Sequence, residues 1–522
     1  MDTAKNVKKN LKINRYFLVN KEPLFSDAVN DIMALFKISA AADFLIDNCD
    51  NNKLNYGDIL IENSYITENN RTNLKTKVCF LNENEDFSYK EIITPTNFRE
   101  DDKIAVIKKL VKLNILTLIK EITGINPSPW GILRGVRPTK IVHKLLDENK
   151  NKEDISQILI DKYSVASDKA DLISNIAVHQ RNITSLTNDA ENSRVVSVYI
   201  GIPYCPSRCL YCSFPSYTIP EQQEQLDSFL DALNKDIIDA ARLIKEKDFI
   251  VESVYIGGGT PTSLNNTDFH NLINLVKENL IGNKTKEFTV EAGRPDSITT
   301  EKLETLNKLG VTRISINPQT MQDKTLNIIG RNHSAQEIVE VINKIRQITN
   351  FNVIINMDVI VGLPGETEKD LIDTMTKISA LKPENITIHT LAIKNNSILK
   401  DNLNENALPN IETTIKMLET AKNYAEKLNM VPYYLYRQKN MTGNLENIGY
   451  AIPGTESFYN IKIIEERQSI IGIGPAAGTK AVNFENWSLE SCYNPKDIFT
   501  YINNLEYYLK RRKNLFDLLF KN

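Results

Sequence analysis

The chain runs to 522 residues, 41% hydrophobic and 25% charged, with a formal net charge of -3. That length exceeds what one compact core organises, so two or three domains of ordinary globular composition are expected. The near balance of charge excludes a general attraction to nucleic acid or to an anionic membrane surface. No apolar signal segment follows the polar N-terminus and no apolar stretch spans a bilayer without interruption, so the expected localisation is cytoplasmic.

Residues 1–190 mix strand-like runs (Arg15–Val19, Lys77–Leu81) with helical spacing at Ser26–Phe36, Ile104–Glu121 and Ile155–Lys162, and read as an N-terminal α+β accessory domain. The most apolar stretch, Ile104 to Ile119, carries Lys108, Lys109 and Lys112 and predicts an amphipathic helix. The polar run Asn182–Arg194 predicts a linker. From there to about residue 400 the pattern changes. Short apolar runs at Val195–Ile200, Val251–Ile256, Phe288–Glu291, Val311–Ile316, Val353–Val361 and Ile386–Leu391 alternate with helical segments such as Leu226 to Ile244. Continuous apolar strands alternating with helices predict a parallel sheet covered by helices, an α/β partial (β/α)6 barrel over residues 191–400. In such sheets functional residues belong at the C-terminal ends of the strands. A helix near Ile411–Leu428 and a strand at Val431–Tyr436 then open a smaller C-terminal α+β unit, residues 401–522.

Of the six cysteines, Cys49, Cys79 and Cys492 are isolated and read as small apolar residues, whereas Cys205, Cys209 and Cys212 share one loop after the first barrel strand. A disulfide framework would not be spaced so unevenly. C-x3-C-x2-C thiolates can hold three irons of a cubane cluster and leave the fourth free for another ligand. A zinc site is the alternative, but no histidine stands nearby, the nearest being His179 and His270. The second strand ends in Gly257-Gly258-Gly259-Thr260, where missing side chains let the backbone approach a ligand; a plain strand-to-helix turn is the bland reading. Glu291, Gln319 and Asp358 then follow at the third, fourth and fifth strand ends, the last before Gly362-Leu-Pro-Gly365. Each alone is explained by a helix cap or a fixed turn; together they converge on one cavity.

These stretches, with FTVEAGRPD, GRNH and a late GIGPAAG, resemble the oxygen-independent coproporphyrinogen III oxidase family of radical S-adenosylmethionine (radical SAM) enzymes over residues 195–480. Trp130–Pro138 extends the likeness to its HemZ branch. The resemblance implies a [4Fe–4S] cluster on Cys205, Cys209 and Cys212, and S-adenosylmethionine at the cluster touched by Tyr199, Gly258 and Glu291, with Gly257 in the same turn. Tyr211, Gly259, Thr260, Gln319, Arg331, Asp358 and Ala392 match further SAM contacts of a member that binds two molecules, which leaves a second one open here. The family reaction is oxidative decarboxylation of two propionates of coproporphyrinogen III to vinyl groups, with an electron donor such as flavodoxin or ferredoxin. Gly201 replaces a histidine of that member, and Phe214 replaces an additional cysteine, so the Cys-Ser-Phe ending is closer to the haem-chaperone branch. A haem-delivering chaperone, or a radical SAM enzyme acting on haem or another tetrapyrrole, therefore stands beside the oxidase reading. For a substrate with four carboxylates, Arg134, Arg137 and Arg437 are candidates by composition, and Tyr433, Tyr434 and Tyr436 are candidate pocket residues; ordinary surface arginines and half-buried strand tyrosines are the bland readings.

Overall fold

A computed structural model describes residues 11–19, 23–45, 54–68, 71–82, 84, 86–96, 103–134, 137–184, 186, 193–348, 350–394, 397–401, 408–438 and 441–520. Cys49 and most of the expected linker lie outside the described residues. The chain divides into two compact units, Met1–Val136 with Glu148–Ser174 and Gly443–Leu445, and Arg137–Asp147 with Asn175–Thr442 and Glu446–Asn522.

In the first unit β1 (Arg15–Leu18), β2 (Ser39–Leu45), β3 (Asp58–Glu68), β4 (Arg71–Leu81) and β5 (Phe87–Pro95) form one sheet in the order β2-β1-β3-β4-β5. β1 runs parallel to both its neighbours, and β3, β4 and β5 are antiparallel. The alternation of Ile59, Ile61, Leu74 and Val78 turns one face of the sheet towards Ile107, Val111, Ile115 and Ile119 of the helix Lys103–Thr123, and all eight are buried in one cluster. The lysines of that helix stay at its edge, Lys112 Nζ lying 2.7 Å from Asp31 Oδ2. Among the described residues no helix is long and apolar enough to cross a membrane.

The second unit is built on β6 (Val195–Ile202), β7 (Ile250–Gly258), β8 (Glu287–Glu291), β9 (Arg313–Ser315), β10 (Ile354–Val361) and β11 (Asn385–Thr390). They lie side by side in chain order, each parallel to the next, joined by helices that include Gln223–Glu246, Asn266–Leu280, Thr300–Lys308, Ala335–Gln347 and Glu368–Leu381. This is the six-strand α/β partial barrel that the rhythm of the sequence predicts. Their near-continuous burial explains the missing polar alternation. After the helix Ile411–Lys427, β12 (Val431–Tyr436) and β13 (Asn447–Ala451) extend the sheet beyond β11; β14 (Ser469–Ile473), β15 (Gly478–Val482) and β16 (Leu489–Tyr493) extend it beyond β6. The last helix, Leu505–Leu519, is tied to the first barrel helix by buried Arg512, which donates to Asp236 Oδ1 at 2.6 Å and Asp239 Oδ2 at 2.9 Å. Removing either side of such a pair would strand a buried charge.

Candidate functional site

The cysteine loop leaves β6 and is pinned at several points. Cys205 N donates to Tyr217 O (2.8 Å), Leu210 N to Ile329 O (3.0 Å), and Cys212 N to Cys209 O (3.1 Å). The glycine turn at the end of β7 packs directly on it: Gly259 N donates to Ile202 O (2.7 Å) and Thr260 N to Tyr204 O (2.6 Å). A Cβ at Gly259 would come within 2.5 Å of Tyr204 O and 3.0 Å of Cys205 Sγ, and one at Gly257 within 2.8 Å of the Glu291 carboxyl carbon. These glycines are thus demanded by close approach. All three thiols are half-buried. Burial pushes the Cys205 thiol up to about 11, against the Thr260 hydroxyl that donates to its sulfur (3.5 Å), and also raises Cys212. Metal binding would therefore release protons from this loop.

Glu291, at the end of β8, accepts from the Tyr255 hydroxyl (2.5 Å). Tyr199 of β6, Tyr255 of β7 and Tyr459 stack beside it, with Tyr255 and Tyr459 centroids 4.5 Å apart. Burial holds the Glu291 carboxyl up at about 7, opposed by the Tyr255 bond and helped by the nearby charge of Asp358. Asp358 on β10 is in a different situation. Burial pushes it up as well, but His389 of β11, 3.5 Å away, brings it below the usual range, helped by Asn356, whose amide donates to Oδ1 at 2.8 Å. His389 in turn shares its Nδ1 with the Tyr436 hydroxyl (3.1 Å).

Gln319 follows β9 with φ of +68°, a conformation costly for a residue with a side chain. It is held by backbone bonds with β10 in both directions, Gln319 N to Asp358 O and Ile360 N to Gln319 O, each 2.9 Å. Buried Arg331 donates to the carbonyls of Gly293 (3.2 Å) and Asn317 (2.5 Å) and to the Tyr211 hydroxyl (3.1 Å), linking two expected site residues. Ala392 has no polar side chain for these networks and is fixed by a bridge to Met441. The substrate candidates are more dispersed. Arg134 pairs with Asp31 in the first unit (3.7 Å), and Arg137 pairs with Glu466. Arg437 is buried, which lowers its guanidinium to about 10, and Tyr433 and Tyr434 pack on each other, both buried. Phe214 is 60% exposed, with Lys394 Nζ 5.6 Å from its ring centre.

Sequence reasoning missed Arg294, His389, Tyr255 and Tyr459. A histidine near the end of a buried barrel strand was a usable signal for His389, as was an arginine just past a strand end for Arg294. Tyr459 lies far along the chain and gave none.

The residues present fit a cluster. Three thiols on one loop lie against a glycine cradle that a Cβ would fill. The zinc alternative needs a histidine to complete the set, and the two weighed for it are engaged elsewhere, His179 with Glu456 (2.9 Å) and His270 with Thr305 (3.4 Å).

Comparison with known proteins agrees. Residues 199–378 match the model of the Radical SAM superfamily. The oxygen-independent coproporphyrinogen-III oxidase-like protein HemZ of Bacillus subtilis (strain 168) is 39% identical over 427 residues, 81% of this chain and 83% of that protein. The heme chaperone HemW of the same organism is 30% identical over 295 residues, 55% of this chain and 73% of its own length. The solved coproporphyrinogen III oxidase HemN of Escherichia coli, a radical SAM enzyme, aligns with a TM-score of 0.47 and 20% identity over 64% of this chain and 73% of that one. The chain belongs to the HemZ family of oxygen-independent coproporphyrinogen III oxidase-like radical SAM proteins, whose cofactors are a [4Fe–4S] cluster and S-adenosylmethionine.

Proposed function

We propose that the chain converts the propionates of coproporphyrinogen III to vinyl groups by radical SAM oxidative decarboxylation, giving protoporphyrinogen IX. The observation that carries this reading is the gathering of the thiols, the glycine turn and Glu291 at the ends of β6, β7 and β8, with Asp358 facing them from within β10, in a chain related over most of its length to HemZ. Cys205, Cys209 and Cys212 would hold three irons, and the Gly257–Gly259 turn, Tyr199 and Glu291 would hold the methionine end of S-adenosylmethionine. The bound cofactors supply reductive cleavage of the sulfonium to a carbon radical that abstracts hydrogen from substrate. The protein's part is to orient and to exclude water. The stacked Tyr199, Tyr255 and Tyr459 wall the site with rings, and ionised Glu291 gives an acceptor for the cofactor's ammonium. Thr260, Tyr211, Gln319, Arg331, Asp358 and Ala392 would line a further SAM or substrate position.

Anaerobic incubation of the reconstituted chain with dithionite, S-adenosylmethionine and coproporphyrinogen III tests the proposal. Protoporphyrin after air oxidation, with methionine and 5′-deoxyadenosine rising together, supports it. Cofactor cleavage without porphyrin product sinks the substrate assignment. A haem chaperone is the second reading, favoured by Phe214, whose exposed ring stands in the cysteine loop in place of a further thiol. Tight haem binding with coproporphyrinogen untouched would select it.

A further inference from the structure

We propose that Arg294 is a positioning residue that raises the reduction potential of the cluster through Cys209, an inference that rests on reading Cys205, Cys209 and Cys212 as its ligands. Arg294 lies just past the end of β8 and is 2% exposed. One edge of its guanidinium is taken by Asp296, with Nε to Oδ1 at 3.2 Å and Nη2 to Oδ2 at 2.9 Å. The other edge enters the cysteine loop: Nη1 donates to Ser207 O (3.2 Å), Nη2 to Ser207 Oγ (3.0 Å), and Nη1 stands 4.0 Å from Cys209 Sγ. Ser207 passes the restraint on by donating to Gly330 O (2.9 Å).

The charges round this sulfur are unequal. A second buried guanidinium, Arg331, also neighbours Cys209. His333 is buried nearby, its Nδ1 3.9 Å from Asp296 Oδ1, and burial pushes it down to about 4, so it adds no charge at neutral pH. Two guanidiniums thus face one thiolate with Asp296 as the near counter-charge. At Cys205 the hydrogen bond comes instead from the neutral hydroxyl of Thr260. A cation or N–H donor beside a ligand thiolate favours the reduced cluster, which carries one more negative charge. The fork of Arg294 also fixes the loop's shape, but a purely structural clamp would leave the potential of an assembled cluster unchanged.

The test is a dithionite titration of the reconstituted full chain, followed by electron paramagnetic resonance. Arg294→Gln is expected to keep the cluster and to lower its midpoint by about 59 mV, a tenfold loss of reduced form at fixed poise for a one-electron couple. Asp296→Asn keeps the guanidinium and removes its counter-charge, and is expected to shift the midpoint the opposite way. Unchanged midpoints in both variants overturn the inference while leaving the ligand assignment standing. If Arg294→Gln loses its iron, Asp296→Asn decides alone: a rise supports the inference and no change overturns it. A wild-type chain that takes up no cluster would instead overturn the ligand reading itself.

Discussion

Glu291 and Asp358 stand two strands apart on the same barrel sheet, both in buried surroundings, yet their charges are governed in opposite ways. The region of Glu291 offers the Tyr255 phenol, the rings of Tyr199 and Tyr459 stacked with it and a backbone N–H, and no cation among the described residues, so burial wins and the acid is held near neutrality at about 7. The region of Asp358 offers His389, an amide and a hydroxyl, and there the hydrogen bonds and charge outweigh burial. Identity of the acid does not decide this; neighbours do. A carboxyl poised without a cation is suited to receive one with its ligand, whereas one already supplied with partners is suited to a fixed polar wall.

The largest break in this comparison comes from removing the platform both regions would serve. Cys209→Ala is expected to abolish the cluster's visible absorption and all S-adenosylmethionine cleavage, with the fold retained by circular dichroism. Retention of full iron and cleavage would sink the assignment. Next in size is Glu291→Gln, which keeps shape and removes the charge. Anaerobic calorimetry should show S-adenosylmethionine affinity falling roughly ten- to hundredfold, the usual worth of a hydrogen bond to a charged group. Equal loss from Asp358→Asn, with none from Glu291→Gln, would exchange the roles of the two regions.

Much of this was legible in the sequence because the strands are fully buried and the glycine turn is compelled by contact. Six apolar runs gave six parallel strands, and Cys205, Gly257 and Glu291 fell at or just past their ends as that rhythm required, whereas Asp358 lies inside β10, three residues short of its end. The charges of the acids were not legible. They depend on Tyr255, Tyr459 and His389, partners set by sheet order and by a helix that arrives after residue 457, and no local spacing encodes those meetings. Arg134, Arg137 and Arg437 show the converse, since residue type alone made them candidates and each is engaged by burial or by a carboxylate.

Protonation sharpens the contrast further. With Glu291 near 7, affinity for a cationic ligand should rise as pH increases through that value, because the carboxyl must lose its proton to accept the ammonium, and level off above it. Tyr255→Phe removes a hydrogen bond that favours the ionised form, so the midpoint of this rise should move up by about one pH unit. A flat profile between pH 6 and 8, measured by calorimetry, would show that the burial of Glu291 is relieved in solution.

The smallest effect is the one that asks whether the two regions sense each other. The negative charge of Asp358 contributes to raising Glu291, less than burial does and in the opposite sense to Tyr255. Neutralising it in Asp358→Asn should move the same midpoint downwards, by less than the upward shift of Tyr255→Phe. The direction carries the argument, since lost packing at Asp358 would weaken binding at every pH and leave the midpoint where it was. A downward shift means that one acid is kept protonated partly because the other is kept ionised, so that His389, which touches only Asp358 of the pair, acts on Glu291 from a distance. His389→Gln in the same assay should then reproduce the downward shift wherever Asp358 becomes protonated, and an unchanged midpoint there would separate the two regions into independent sites.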